Sequence, residues 1–205
     1  MSAPREVIVI DSGGANLASL GYAFERLGVR PVVSSDAAVI GGAERAVLPG
    51  VGSAAAIMQR LESQDLIPLI RALQCPVLGI CLGMQLLFEH SAEGNTAGLG
   101  ILPGRVGPFV AAPGLPVPHM GWNTLRPLRD DPLLRGIGAD DWFYFVHGYR
   151  APAGVVGAVA NTDYGGEFAS VVRQNNFRGV QFHPERSGDA GARLLANFME
   201  LGPCC

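Results

Sequence analysis

No stretch of this 205-residue sequence gathers its basic residues into a run, although 15 are present. A nucleic-acid groove or an anionic membrane face usually shows such a cluster, so neither partner is expected. Long apolar runs are missing as well. No segment approaches the ~20 apolar residues that a membrane span needs. The opening "MSAPREVIVID" has too short an apolar core before its aspartate for a signal peptide. Cysteines are few: Cys75, Cys81, Cys204 and Cys205, none in a CxxC pair. That excludes a CxxC metal ribbon, and no metal site is expected. With 48% hydrophobic residues the chain has core enough to need no disulfide framework. A reducing, cytoplasmic setting follows. The formal net charge of −3 sets no strong overall field, and a small acidic substrate stays possible because local fields need not follow net charge.

What is present suits one α/β domain spanning 1–205. "EVIVID" is a continuous β-branched run, as in buried parallel strands. A helical pattern follows, with Leu17, Leu20, Phe24 and Leu27 in phase and Gly28 at the stop. "VRPVVSS" and "RAVLPG" read as strands, "SAAAIMQRLES" and "DLIPLIRAL" as helices, "PVLGI" as a strand and "LGMQLLFEH" as its helix. This β–α alternation predicts a mostly parallel sheet with helices on both faces. After "SAEGNTAGLGILPG" the pattern changes to short strand-like segments split by Gly, Pro, Asn and Asp, which predicts antiparallel pairing. "DAGARLLANFMEL" closes the chain as an amphipathic helix.

"GICLG" has the shape G-x-nucleophile-x-G. Gly79 and Gly83 permit a tight strand-to-helix turn with Cys81 at its apex. A helix N-terminus there would favour a thiolate, and the Leu82 N–H is placed to donate to an oxyanion. The competing reading is a small buried cysteine in an ordinary αβ unit.

A cysteine nucleophile needs a base, and the base an orienting group. His90 lies about 13 Å along the expected helix from Cys81, out of reach. His119 sits in a Pro-rich turn, "PVPHMGW", with no acid nearby. His147 ends an aromatic strand and suits a supporting or substrate-side role. His183 is the best candidate, since it ends the apolar "GVQF" and precedes Pro184 and Glu185. In an extended segment His183 and Glu185 would share a side, so Glu185 would hold the imidazole while its other nitrogen faces the thiol. A surface turn with a chance H-x-E is the alternative for the tripeptide alone. A second glycine loop, "VLPGVGS", follows a strand and precedes a helix. At the carboxyl end of a parallel sheet it would lie beside the elbow and offer the Val51 N–H as a second oxyanion donor. It is not a P-loop, because the GK[ST] ending is absent.

Together "PGVGS", "GICLGMQLLFE" and "GVQFHPE" resemble the class I glutamine amidotransferases in order and spacing across nearly the whole chain. Within that family, "PHMGWN", "FYFVHGYR" and "HPERSG" resemble the glutaminase subunits of imidazole glycerol phosphate synthases. The resemblance implies a three-layer α/β/α sandwich around a central, mostly parallel mixed sheet, flavodoxin-like, plus a smaller antiparallel region in the C-terminal half. It implies hydrolysis of L-glutamine through a cysteinyl thioester, with Cys81 as nucleophile, His183 as base and then acid, and Glu185 as orienter. It implies no cofactor, and a (β/α)8-barrel cyclase subunit as partner in a heterodimer that receives the ammonia.

The resemblance also assigns substrate contacts to Gly50, Gln85, Glu93, Gly148 and Tyr149. Glu93 would pair with the substrate α-ammonium and Gly148-Tyr149 would meet its α-carboxylate. It assigns the partner interface to Asn16, Met120, Trp122 and Arg186. The chain departs from the family at Gly148, where Ser or Thr is usual. "DSGGANLAS" replaces a "DYGxGN" pattern but keeps Asn16. Arg186 replaces a common lysine, and the two are not equivalent in a specific ion pair. A glutaminase subunit of another synthase, a γ-glutamyl hydrolase or cysteine peptidase on the same scaffold, and a catalytically silent regulatory subunit stay open.

Overall fold

The computed structural model describes residues 5–13 and 17–202. Its first half alternates strand and helix as the periodicities require: β1 (Glu6–Ile10), α1 (Leu17–Arg26), β2 (Arg30–Ser34), α2 (Ala37–Gly41), β3 (Ala46–Gly50), α3 (Ala54–Ser63), α4 (Leu66–Ala72) and β4 (Val77–Cys81). A short helix α5 (Leu82–Gln85) follows, then β5 (Phe88–Ser91), β6 (Thr96–Ala97) and β7 (Leu102–Pro108). The second half holds β8 (His119–Thr124), β9 (Arg126–Pro127), β10 (Trp142–His147), β11 (Tyr149–Pro152), β12 (Ala158–Asp163), β13 (Glu167–Gln174), β14 (Phe177–Val180) and the closing α6 (Gly188–Glu200).

The strands β2-β1-β3-β4-β14 lie side by side and parallel. Antiparallel β13, β11 and β7 continue the sheet, β5 runs parallel to β7, and β6 closes the far edge. β8 and β10 form a separate antiparallel ribbon. Side chains alternate across the sheet. Val7, Val9, Val47 and Leu78 enter one core with Phe24 of α1 and Leu194, Leu195 and Phe198 of α6. Ile8, Ile10, Leu48 and Val77 enter the other with Ile57 and Leu61 of α3 and Ile70 of α4. Each fully buried side chain of this kind contributes about 2 kcal/mol. These two cores, divided by one sheet, make the expected three-layer sandwich.

Two local expectations are corrected. The helix expected over "LGMQLLFEH" ends at Gln85, after one turn. Leu86, Leu87 and Phe88 are fully buried. The chain then turns into β5 because non-local partners claim its backbone: the Leu99 N–H donates to the Leu86 carbonyl at 2.7 Å, the Gly98 N–H to the Glu89 carbonyl at 2.9 Å, and β7 pairs alongside. The short helix α2 was not expected, although Asp36 caps it by accepting from the Ala38 N–H at 2.7 Å. No helix among the described residues is long and apolar enough to cross a membrane.

Candidate active site

The carboxyl ends of β3, β4 and β14 are neighbours, and the site is built where they stop. Cys81 ends β4 with φ 55° and ψ −110°, a conformation that an L residue holds only under constraint. The constraint is the glycine frame. A Cβ on Gly83 would collide with the Leu48 carbonyl oxygen of β3, and one on Gly79 would stand 2.7 Å from the Gly83 oxygen. Bare backbone therefore lets the turn press against β3, and Cys81 is left only 7% exposed beneath the cavity. Because α5 has four residues, little macrodipole reaches the thiol. An imidazole stands beside the thiol.

That imidazole belongs to His183. Its Nδ1 lies 2.8 Å from Glu185 Oε1, and both side chains are buried. The pair does not sit in an extended segment, as the sequence pattern suggested. Pro184–Arg186 is a 3-10 turn, which folds Glu185 back onto the ring. The turn is fastened to the ribbon: the His183 N–H donates to the Tyr144 carbonyl at 2.9 Å, and the Ser187 hydroxyl donates to the His183 carbonyl at 2.6 Å. Burial opposes a charge on His183. Hydrogen bonding to the Cys81 thiol and to Glu185 outweighs it, and the ring is raised to about 10. The ring is thus held as imidazolium next to Cys81, with Nδ1 committed to Glu185 and Nε2 left for sulfur.

A cavity of about 350 Å³ opens above this pair. Gly50, Val51, Cys81, Leu82, Gln85, Glu93, Gly148, Tyr149, His183 and Arg186 are among the residues that line it. Glu185 stands behind His183. The Glu93 Oε2 accepts from the Ala54 N–H at the start of α3, at 2.8 Å, so one oxygen is anchored and the other is available to a ligand. Gln85 donates from Nε2 to the Tyr149 carbonyl at 2.9 Å and to Gln181 Oε1 at 3.0 Å. Met120 and Trp122 do not line the cavity. They are 62% and 53% exposed on the outer face of the ribbon, beside Tyr144, whose ring carries the Arg186 guanidinium at 4.8 Å. Val146 on the same face reaches the cavity. Asn16 lies outside the described residues.

The chain matches the family model "Glutamine amidotransferase class-I" over residues 8–201. The chain belongs to the class I glutamine amidotransferases. It is 56% identical over 197 residues to the imidazole glycerol phosphate synthase subunit HisH of Xanthomonas euvesicatoria pv. vesicatoria, covering 96% of this chain and 98% of the relative. It is 54% identical over 196 residues to the subunit of the same name from Xylella fastidiosa, with the same coverage. Among solved structures, a glutamine amidotransferase superposes with a TM-score of 0.75 at 19% identity, over 95% of this chain and 97% of that one. PurLQS from Thermotoga maritima superposes with a TM-score of 0.72 at 20% identity, over 96% and 98%. At those identities the structures speak for the class I fold alone.

Two features of this amidotransferase escaped the sequence reading. His119 is not a turn residue: it starts β8, is buried, and stacks on Tyr164 with ring centroids 4.0 Å apart. Gln181 is fully buried between Gln85 and Cys81. A lone polar residue inside the apolar "GVQF" was the signal that would have found it.

Proposed function

We propose that this amidotransferase is the glutaminase subunit of an imidazole glycerol phosphate synthase, acting in histidine biosynthesis. The observation that carries the chemistry is the buried Cys81–His183–Glu185 cluster at the base of the cavity. The names and near-complete coverage of the HisH relatives support the pathway.

In this reading the Cys81 thiolate attacks the side-chain amide carbon of L-glutamine, and the carbonyl electrons move to oxygen. The Leu82 and Val51 N–H groups stabilise that oxyanion. Its collapse breaks the C–N bond, and His183 Nε2 gives its proton to the departing ammonia. His183 then takes a proton from water, the resulting hydroxide attacks the thioester, and glutamate leaves with the thiolate restored. Gln85 and Glu93 hold the amino-acid end, with Gly50, Gly148 and Tyr149 offering backbone. Residues 1–205 act as one amidotransferase domain. The free thiols Cys75 and Cys81 suit a cytoplasmic setting.

The ammonia passes to a (β/α)8-barrel cyclase subunit in a heterodimer. Met120, Trp122 and Arg186 form the docking face; Asn16, which the resemblance also assigns to the interface, lies outside the described residues. The support is an exposed aromatic surface continuous with the cavity mouth through Val146 and Tyr144. Reconstitution with a candidate cyclase tests the proposal, with glutamine and ammonia compared as nitrogen source. Cys81→Ala is expected to abolish glutamine-dependent synthesis and spare the ammonia-dependent reaction. Loss of neither, or of both together, would remove Cys81 from its role.

A further inference from the structure

Gln181 carries an amide that is fully buried, in a place where the fold needs only an apolar residue. Burying an amide costs free energy unless each polar atom finds a partner. The partners of Gln181 are both functional groups of the site. Its orientation is set by the network. The Tyr149 carbonyl can only accept, so the Gln85 atom 2.9 Å from it is Nε2. The same Nε2 faces Gln181 at 3.0 Å, which makes the facing Gln181 atom the acceptor Oε1. The Gln181 Nε2 is left pointing at the Cys81 sulfur, 3.9 Å away, and that sulfur is its one partner among the described residues.

We propose that Gln181 is a positioning residue of the hydrolysis, whose Nε2 holds the Cys81 sulfur toward the cavity while its Oε1 fixes Gln85. The backbone is secured independently, since the Gln181 N–H donates to the Ser170 carbonyl at 2.9 Å. An amide donor is suited to this place because it stabilises a sulfur anion without competing for the proton that His183 must deliver. At 3.9 Å the contact is long for the resting site and has room to tighten as the sulfur is drawn onto the amide carbon. One residue thus ties the nucleophile to Gln85, whose side chain also lines the cavity. Gln181 itself is not among the residues that line the cavity.

The proposal rests on the glutaminase reading, and the test separates the two. Gln181→Glu keeps an oxygen for Gln85 and replaces the NH2 facing Cys81 by an oxygen. In the reconstituted complex its kcat for glutamine is expected to fall about 10–100-fold, the worth of one hydrogen bond to a charged group, with KM within about threefold. Peptide-resolved alkylation of Cys81 by iodoacetamide should slow by about tenfold on the same grounds. Gln181→Met, neutral and of similar length, should show the same slowed alkylation. A raised KM with unchanged kcat would confine Gln181 to the pocket wall and overturn the proposal. So would unchanged alkylation in both variants, or failure of both to assemble with the cyclase, which would make the residue a packing element. If wild type itself turns over no glutamine, the glutaminase reading fails, and the alkylation comparison still decides the role of Gln181.

Discussion

His119 Nδ1 lies 3.0 Å from His147 Nε2, and the surrounding acceptors allow one proton arrangement. His147 Nδ1 faces the Tyr149 carbonyl at 2.8 Å, so it carries the proton and its Nε2 accepts. His119 Nδ1 must then donate, and its Nε2 accepts from Asn123 Nδ2 at 3.4 Å. The two neutral rings link the strand that bears Trp122 to the carbonyl that holds Gln85.

Burial lowers His119 to about 4. Burial also lowers His147, to about 3, against the opposing bond to Tyr149. Folded values below the unfolded one mean that stability is present above about pH 6.5 and is lost as the pH falls toward them. Between pH 7.5 and 4.5, His147 alone should cost about 2–3 kcal/mol, from roughly two units at 1.4 kcal/mol each. Urea denaturation across that range measures it. Replacing His147 by Gln should flatten the slope, and an equal slope in the variant would refute the assignment.

Glu185→Gln tests the imidazolium. It removes a charge that helps raise His183 to about 10. A raised value means a contribution that is whole below about pH 6.5 and lost as the pH rises through the folded value. The variant should bring that upper edge down. It should also lower kcat by about 100-fold or more, with KM little changed. An NMR titration of the His183 ring and steady-state kinetics are the measurements, and a ring titration unaltered by the variant counts against the pairing.

Gly83→Ala and Gly148→Ser should differ sharply. The first drives a Cβ into the Leu48 carbonyl oxygen and should cost about 3 kcal/mol or prevent folding. At Gly148 the nearest neighbour to an added Cβ is Val117 Cγ1, at 3.9 Å, an ordinary contact. That change should alter stability by less than about 0.5 kcal/mol. It should also lower the KM for glutamine if a hydroxyl there reaches the α-carboxylate. Thermal denaturation separates the two variants.

Glu93→Gln keeps an oxygen for the Ala54 N–H but removes the charge. The KM for glutamine should rise about tenfold while kcat stays within a few-fold, as for a contact that binds ground and transition states alike. A fall in kcat at unchanged KM would place Glu93 in the chemistry instead.

Much of this was legible in advance because it is local. Glycines two residues either side of Cys81 announce a sharp turn, and a proline after His183 announces the end of a strand. What escaped is set by distant partners. Leu86, Leu87 and Phe88 fit a helical stripe equally well, and only pairing with β7 and the segment around Leu99 makes them sheet. His119 reads as a turn residue from its flanking prolines, until β10 is laid against it. His183 and Glu185 lie 2.8 Å apart, and a 3-10 turn rather than an extended segment brings them together.

The side chains of Cys81 and Leu82 enter different cores, on opposite sides of the sheet. The peptide between them therefore works as a gauge of how the two layers sit on each other. A void opened under α6 or under α3, far from any substrate, is transmitted to the same bond. In such variants turnover should fade before the fold does, and enzyme rate becomes the more sensitive report of packing.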